Sequence, residues 1–194
     1  MHHEIEKKYS ADIAQLPKVI AFFEHNLGSI FVKKELIDYR YYIVQNADGG
    51  KDFERVRFMK LDDTVTVEHA HKFTKNGQRF EEEATISVEK ALEKVVNTSG
   101  VYLKKTRLET HGQLTLDALT AKLTIDIDIL PDFPDIFFLE CEILSQDESL
   151  TSLYHAFFDA VIAKVDAQLL PESRSMLDIS KNIKFADTQL FEFR

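Results

Sequence analysis

Residues 4–8 read Glu4-Ile5-Glu6-Lys7-Lys8, and this stretch guides the interpretation of the whole chain. Successive side chains of an extended strand point to opposite faces, so Glu4, Glu6 and Lys8 share one face and Ile5 lies on the other. On a single strand such a face is ordinarily solvated. The same alternation recurs as RVR at 55–57, RFEEE at 79–83, KTR at 105–107, DID at 126–128 and ECE at 140–142. Recurrence on many strands predicts a charged interior.

Composition places the chain among soluble globular proteins. With 194 residues, 44% hydrophobic residues and 15 Phe, it can bury a sizeable core, and we expect one domain over residues 1–194. No apolar segment approaches the roughly 20 residues of a membrane helix, and the first residues do not resemble a signal peptide. A single cysteine, Cys141, excludes an intramolecular disulfide and fits a reducing compartment. We therefore expect a cytoplasmic protein without a membrane partner.

The formal net charge of −9 bears on the partners of the protein. Sequence-independent binding to nucleic acid relies on a basic footprint, so the charge argues against a nucleic acid duplex as partner. An acidic protein can still bind a polyanion if its basic residues converge in a pocket.

Apolar periodicity and turn residues predict nine extended segments, counted as about eight strands, with helices between them. Strands are expected at about 1–9, 30–46, 52–60, 63–74, 79–87, 101–110, 112–118, 121–130 and 136–145. Helices are expected at 13–27, 88–98 and 147–170, with a further short helix at 173–183. Because hairpin follows hairpin, the sequence predicts an α+β fold, namely an eight-stranded antiparallel β-barrel with helices packed outside.

In such a barrel the charged strand faces would line the interior. The acids are Glu4, Glu6, Glu81, Glu83, Asp126, Asp128, Glu140 and Glu142, and the bases are Lys8, Arg55, Arg57, Lys72, Arg79, Lys105 and Arg107. Burying such charges dry is unfavourable, so the interior must be hydrated, internally paired or filled by a charged ligand. Arg and Lys bind phosphate oxygens, and clustered carboxylates bind Mg²⁺ or Mn²⁺. These residues therefore predict a phosphoryl-transfer site for a polyanion with divalent cations.

With these motifs in this order, the chain resembles the CYTH superfamily, the triphosphate tunnel metalloenzymes. The resemblance covers roughly the first three quarters of the chain. Its motifs are ExExK at Glu4, Glu6 and Lys8, RVR at 55–57, Lys72, RFEEE at 79–83, KTR at 105–107, Asp128 and FLECE at 138–142. It implies an eight-stranded antiparallel tunnel that binds triphosphate compounds and needs Mg²⁺ or Mn²⁺.

Carried over by position, the resemblance also implies roles for individual residues. The implied metal ligands are Glu4, Glu6, Glu81, Glu83, Asp128, Glu140 and Glu142. The implied triphosphate ligands are Lys8, Arg55, Arg57, Lys72, Arg79, Lys105 and Arg107. Lys8, Glu4 and Glu6 form the implied catalytic set, and Lys8 matches the lysine that activates water together with a tyrosine in some family hydrolases. That tyrosine stays open among Tyr39, Tyr41 and Tyr42.

Three functions are compatible with these residues. The expected one is a divalent-metal-dependent hydrolase of inorganic tripolyphosphate or of a small organic triphosphate such as thiamine triphosphate. The first alternative is a class IV type adenylate cyclase that converts ATP to cyclic AMP and pyrophosphate, and the second is a non-catalytic triphosphate- or polyphosphate-binding module. In each case the partner is a small-molecule triphosphate, and since the family includes monomers and dimers, a homodimer stays open.

Other conspicuous residues are interpreted as structural. His69 and His71 lack a matched set of zinc ligands and are expected at the surface. The Phe stripe at Phe22, Phe23, Phe157 and Phe158 is expected in the core between helices and barrel. Cys141 alternates with two charged residues and is expected to face outward into that core.

Overall fold

The computed structural model describes residues 3–45, 51–75, 78–98 and 100–174, which contain nine strands and three α-helices. The strands are β1 (His3–Asp12), β2 (Val32–Gln45), β3 (Lys51–Leu61), β4 (Thr64–Lys75), β5 (Gln78–Thr85), β6 (Val101–Leu116), β7 (Leu119–Ile129), β8 (Ile136–Ser145) and β9 (Leu170–Pro171). The helices are α1 (Leu16–Leu27), α2 (Val88–Val96) and α3 (Thr151–Ile162).

The nine strands form one sheet in the order β5-β4-β3-β2-β6-β7-β8-β1-β9, with every neighbouring pair antiparallel. The predicted α+β class, with antiparallel hairpins and helices, is therefore confirmed. Within the described ranges no backbone pairing joins β5 to β1 or β9. The predicted closure into an eight-stranded barrel is thus not shown by the hydrogen bonds.

The sheet nevertheless curves strongly. Five strands separate β1 from β4 in the sheet order, so in a flat sheet these two strands would lie roughly 29 Å apart. Yet Nζ of Lys72 on β4 lies 3.8 Å from Oε2 of Glu4 on β1. The face that carries both side chains is therefore concave, and its two ends meet through side chains.

Apolar side chains on the other face of the sheet form the core. Ile5, Ile127 and Cys141 alternate with charged residues and pack with Phe23 of α1 and Phe158 of α3. A second apolar cluster joins Val56, Phe58 and Val67 to Ala91 and Val95 of α2. The outward orientation predicted for Cys141 is confirmed, and Phe23, Phe157 and Phe158 lie in the predicted core.

Helix α1 begins and ends where local chemistry requires. The Asp12 side chain accepts a hydrogen bond from Ala14 N at 2.8 Å and caps the 3₁₀ turn at Ile13–Gln15 that leads into α1. Gly28 ends α1 in the left-handed conformation, with φ of 65°, and its N–H donates to Glu24 O at 3.0 Å.

Several predicted boundaries were wrong. The two strands expected at 101–110 and 112–118 are one strand, β6, and the turn follows at Asp117, whose φ is 54°. Helix α3 ends at Ile162 and does not reach residue 170, because the chain turns there to pair β9 with Tyr9 and Ser10 of β1. The loop expected at 46–50, the Asn76-Gly77 turn and the helix expected at 173–183 lie largely or wholly outside the described residues.

Among the described residues, no helix combines the length and hydrophobicity that would let it cross a bilayer.

Candidate functional site

Charged side chains from eight strands, β1 to β8, meet on the concave side of the sheet, and we name this surface the charged face. Its described members are Glu4, Glu6, Lys8, Asp38, Arg55, Arg57, Glu68, Lys72, Glu81, Glu83, Lys105, Arg107, Asp126, Asp128, Glu140 and Glu142. The strand alternation that predicted one charged face is thus observed as a network of contacts between strands.

The most buried part of the charged face is an ion network on β2, β3, β6 and β7. Asp128 accepts hydrogen bonds from Nζ of Lys105 at 2.6 Å and from Nε and Nη2 of Arg107 at 2.7 and 2.8 Å. Arg57 donates to both carboxylate oxygens of Asp38, at 2.6 and 3.0 Å. Nζ of Lys105 also lies 4.0 Å from Oδ2 of Asp38 and so links the two pairs.

Burial and pairing set the protonation of this network. Burial disfavours the ionised form of Asp128, but the adjacent Arg107 and Lys105 outweigh it and hold the pKa of Asp128 well below its usual range. Burial together with Arg107 lowers the pKa of Lys105 to about 8. Burial also raises the pKa of Asp126 to about 6, despite its ion pair with Arg107.

Three carboxylates converge at the other end of β1 and β8. Oxygens of Glu4, Glu140 and Glu142 all lie within 4.8 Å of one another. Burial and the carboxylates nearby raise the pKa of all three, that of Glu142 to about 8. The positive charges near the cluster are therefore too few to stabilise three ionised carboxylates. A bound cation would supply the missing positive charge.

Lys8 lies between two acids of the charged face. Its Nζ donates to Oε1 of Glu6 at 3.0 Å and lies 3.6 Å from Oε2 of Glu140. Burial disfavours the ammonium, but Glu140 and Glu6 prevail and raise the pKa of Lys8. Lys8 therefore carries a positive charge and is suited to binding an anion.

A second group of ion pairs lies on β3, β4 and β5. Nη2 of Arg55 donates to Glu68 at 2.8 Å and to Glu83 at 2.7 Å, and lies 3.3 Å from Glu81. Lys72 pairs with Glu81 and so connects this group to Glu4. Burial and the carboxyls of Glu81 and Glu68 raise the pKa of Glu83 to about 7.

Three buried atoms of the charged face have no hydrogen-bond partner within the described part of the chain, namely Nε of Arg55, Oε1 of Glu81 and Oδ1 of Asp126. Leaving such atoms unsatisfied is unfavourable by about 1–3 kcal/mol each. An N–H without an acceptor suits an oxyanion, and a carboxylate oxygen without a donor suits a cation.

The structure brings together most, but not all, of the residues that the sequence singles out. The side chain of Arg79 lies outside what the structure describes, as do those of Tyr41 and Tyr42. Tyr39 is buried on the opposite face, and its OH donates to the carbonyl oxygen of Thr98 at 2.5 Å. Tyr39 is therefore no partner for Lys8.

Asp38 was missed. It is fully buried and binds Arg57, which was predicted. Two signals could have identified it. Asp38 is the charged residue in the otherwise apolar segment Leu36 to Tyr39, and it lies opposite Arg57 in the predicted hairpin.

The fold is similar to those of two solved structures. The PH1819 protein from Pyrococcus horikoshii OT3 matches with a TM-score of 0.65 and 20% sequence identity, over 91% of this chain and 97% of that chain. A candidate adenylate cyclase from Vibrio parahaemolyticus matches with a TM-score of 0.59 and 17% identity, over the same two fractions. At these identities the likeness establishes the fold alone. No family model matches the chain, and neither does any curated protein.

Proposed function

We propose that the protein is a divalent-metal-dependent enzyme that acts on a triphosphate compound. The observation that carries this proposal is the convergence of Glu4, Glu140 and Glu142 within 4.8 Å, beside cations of the same concave face. Carboxylate oxygens at this spacing suit Mg²⁺ or Mn²⁺. Arg and Lys side chains around them suit the oxygens of a phosphate chain.

The residues fit a divalent cation on electrostatic grounds as well. The raised pKa values of Glu4, Glu140 and Glu142 reflect burial among like charges, and a cation would favour their ionised forms. Glu4, Glu140 and Glu142 would hold the ion, whereas Glu6 holds Lys8 and Asp128 is bound by two cations. When bound, the ion supplies positive charge against phosphate oxygens and lowers the pKa of coordinated water.

We infer that hydrolysis is the principal reaction. A water oxygen forms a bond to the terminal phosphorus, the bond from that phosphorus to the bridging oxygen breaks, and the products are phosphate, the shortened phosphate chain and a proton. Lys8 is already protonated, so its part is to bind and orient phosphate oxygens as their charge grows. Lys72 and Arg55 would align the rest of the chain from the opposite side of the concave face.

Phosphate release from tripolyphosphate, thiamine triphosphate and ATP, with Mg²⁺ or Mn²⁺, tests this function. We expect Glu140→Gln to lower kcat by about 100-fold or more, because it removes one of three anionic ligands. Glu35→Gln is a control, since it makes the same change at a partly exposed side chain, at 35% against 15% for Glu140, that lies off the carboxylate cluster. Phosphate release that continues after the metal is chelated would reject the proposal. Phosphate release by Glu140→Gln at the wild-type rate would also reject it.

A class IV type adenylate cyclase is the second candidate, favoured by the structural similarity to a candidate adenylate cyclase. In that reaction the ribose 3′ oxygen of ATP attacks the α-phosphorus, the bond to the β-phosphate oxygen breaks, and cyclic AMP, pyrophosphate and a proton are released. Chromatography of the products of ATP separates the candidates. Cyclic AMP with pyrophosphate selects the cyclase, and ADP with phosphate selects the hydrolase.

A further inference from the structure

Apolar residues replace charged ones at one end of the charged face. Along β8 the concave side carries Phe138 before Glu140, along β7 it carries Leu130 just beyond Asp128, and along β6 it carries Leu103 before Lys105. These three residues are 1–3% exposed and form an apolar cluster with Phe133. We name Leu103, Leu130, Phe133 and Phe138 the end cluster.

Phe133 reaches the end cluster from the loop at 131–135, which joins β7 to β8. Three backbone hydrogen bonds fix this loop: Phe133 N donates to Leu130 O at 3.0 Å, Ile136 N to Phe133 O at 3.2 Å, and Ile13 N to Asp135 O at 2.8 Å. Pro131 and Pro134 further restrict its backbone. These bonds therefore fix the loop to the end of β7, to the start of β8 and to the residue that follows β1.

Along β1, β2, β6, β7 and β8, exposure of the charged face increases with distance from the end cluster. Asp38, Lys105 and Asp128, next to the cluster, are 0–1% exposed. The side chain of Glu140, farther along β8, is 15% exposed, and that of Glu4 is 32% exposed. Solvent thus reaches the charged face from the side of Glu4 and is excluded at the end cluster.

From this gradient we propose that the end cluster closes one end of the charged face, so that a phosphate chain enters from the Glu4 side and is held by its terminal phosphates. The inference rests on the proposed function and specifies the substrate class as a compound with a free terminal phosphate. A long polyphosphate cannot pass through the protein and is bound at its ends.

Closure can be tested without any phosphate compound. Leu103→Cys places a thiol in the end cluster, and Cys141, whose side chain is 1% exposed in the core, is the internal reference. We expect a charged, thiol-specific reagent to modify both cysteines of the folded protein at similarly slow rates, read by mass spectrometry of peptides. Modification of Leu103→Cys about tenfold or more faster than Cys141 overturns the closure.

Phe133→Ala in the Leu103→Cys protein tests the part played by the loop. We expect faster modification at position 103 and an unchanged rate at Cys141. Phe22→Ala, which removes the same ring from α1, is the matched control and should leave the rate at position 103 unchanged. Equal rates with and without the ring of Phe133 would overturn its assignment as the cover.

The mode of binding is tested with tripolyphosphate and long-chain polyphosphate, with wild-type protein and Ca²⁺ as an oxygen-preferring divalent cation, by analytical ultracentrifugation. We expect tripolyphosphate to compete with long-chain polyphosphate for the protein. We also expect each polyphosphate molecule to bind no more than two copies of the protein, whatever the length of the polyphosphate. A number of copies that grows with length overturns terminal binding. Absence of binding to either compound by wild-type protein overturns the proposed function instead, while the thiol experiment still decides the closure.

Discussion

Two carboxylates on one strand show how strongly position decides charge. Asp126 and Asp128 both lie on the concave side of β7 and both bind Arg107. Asp128 also binds Lys105, and its pKa is lowered, whereas burial raises the pKa of Asp126 to about 6. Since the ionised form of Asp128 is stabilised by the fold and that of Asp126 is not, equivalent substitutions should change the stability by very different amounts.

We expect Asp128→Asn to lower the free energy of unfolding by about 3–5 kcal/mol near pH 7, because it removes the carboxylate that binds both Lys105 and Arg107 in a buried site. Since folding lowers the pKa of Asp128, its contribution is present above about pH 4 and is lost as the pH falls further. Urea unfolding of wild type and variant, near pH 7 and again below about pH 4, measures the difference in their free energies of unfolding. This difference should be smaller at the lower pH. A pH-independent difference would contradict this account.

Asp126→Asn is the matched comparison. Because folding raises the pKa of Asp126, the contribution of its protonated form is present below about pH 4 and is lost as the pH rises towards 6. We therefore expect the change to an amide to alter the free energy of unfolding by less than about 1 kcal/mol at pH 7, as seen by the same urea titration. A loss as large as that of Asp128→Asn would refute the contrast.

At the scale of elements, α1 rests on β6 at a glycine. A Cβ added to Gly112 would lie 2.8 Å from the carbonyl oxygen and 3.0 Å from the Cβ of Leu27. Both neighbours belong to the last residue of α1, so relief requires movement of the helix itself. Gly112 thus sets the distance at which α1 packs on the sheet.

We expect Gly112→Ala to destabilise the protein by about 1–3 kcal/mol and to increase hydrogen exchange of the α1 amides. Gly28→Ala is the comparison, since an added Cβ there has no described atom within 4 Å and its cost arises from the positive φ alone. That cost is about 1–2 kcal/mol. Thermal unfolding gives the size of each effect, and unchanged exchange of α1 in Gly112→Ala would reject the packing explanation.

The same glycine explains one error of the sequence-based prediction. His111-Gly112 looks like the end of a strand, but β6 continues through it to Leu116 because the missing side chain serves α1 and not a turn. The turn instead uses Asp117 with positive φ. The pattern of alternation predicted β8 to the residue, since Pro131 and Pro134 mark the loop before Ile136–Ser145. Local sequence signals thus failed to predict the strand end where a contact between distant elements, here α1 and β6, determines it.

Over the whole molecule, alternation predicted most of the residues that share the charged face, though not Asp38, because the strand period of two is fixed by the backbone. Alternation could not predict their partners. Whether Arg57 binds Asp38, and whether Lys72 approaches Glu4, depends on strand register and on the curvature of the sheet. The clustering of Glu4, Glu140 and Glu142 likewise required β1 to lie beside β8.

Raised pKa values in this carboxylate cluster should make the stability of the metal-free protein depend on pH. Folding favours the protonated forms of Glu4, Glu140 and Glu142, so their contribution is present below about pH 4.5 and is lost as the pH rises through about 8, the pKa of Glu142. With allowance for partial exposure, we expect a loss of about 1–3 kcal/mol between pH 5 and pH 8 in a chelator.

Mn²⁺ should reverse this loss, raising Tm more at about pH 8 than at about pH 5, because protons compete with the ion for the same oxygens. Thermal unfolding with chelator and with Mn²⁺ at each pH measures the effect. Glu142→Gln should flatten the pH dependence, while Glu35→Gln should leave it as in wild type. An equal shift of Tm at both pH values would argue against these carboxylates as the ligands.

The pairing of β1 has a consequence for the order in which the protein matures during synthesis. Strands β2 to β5 join their sequence neighbours, but β1 pairs with β8 and β9, which the ribosome makes more than a hundred residues later. The hairpins formed by β2 to β5 can therefore fold while β1 is still unpaired. Since Glu4 and Lys8 meet Glu140 only through that last pairing, a nascent chain brings the proposed metal ligands together in the final step of folding.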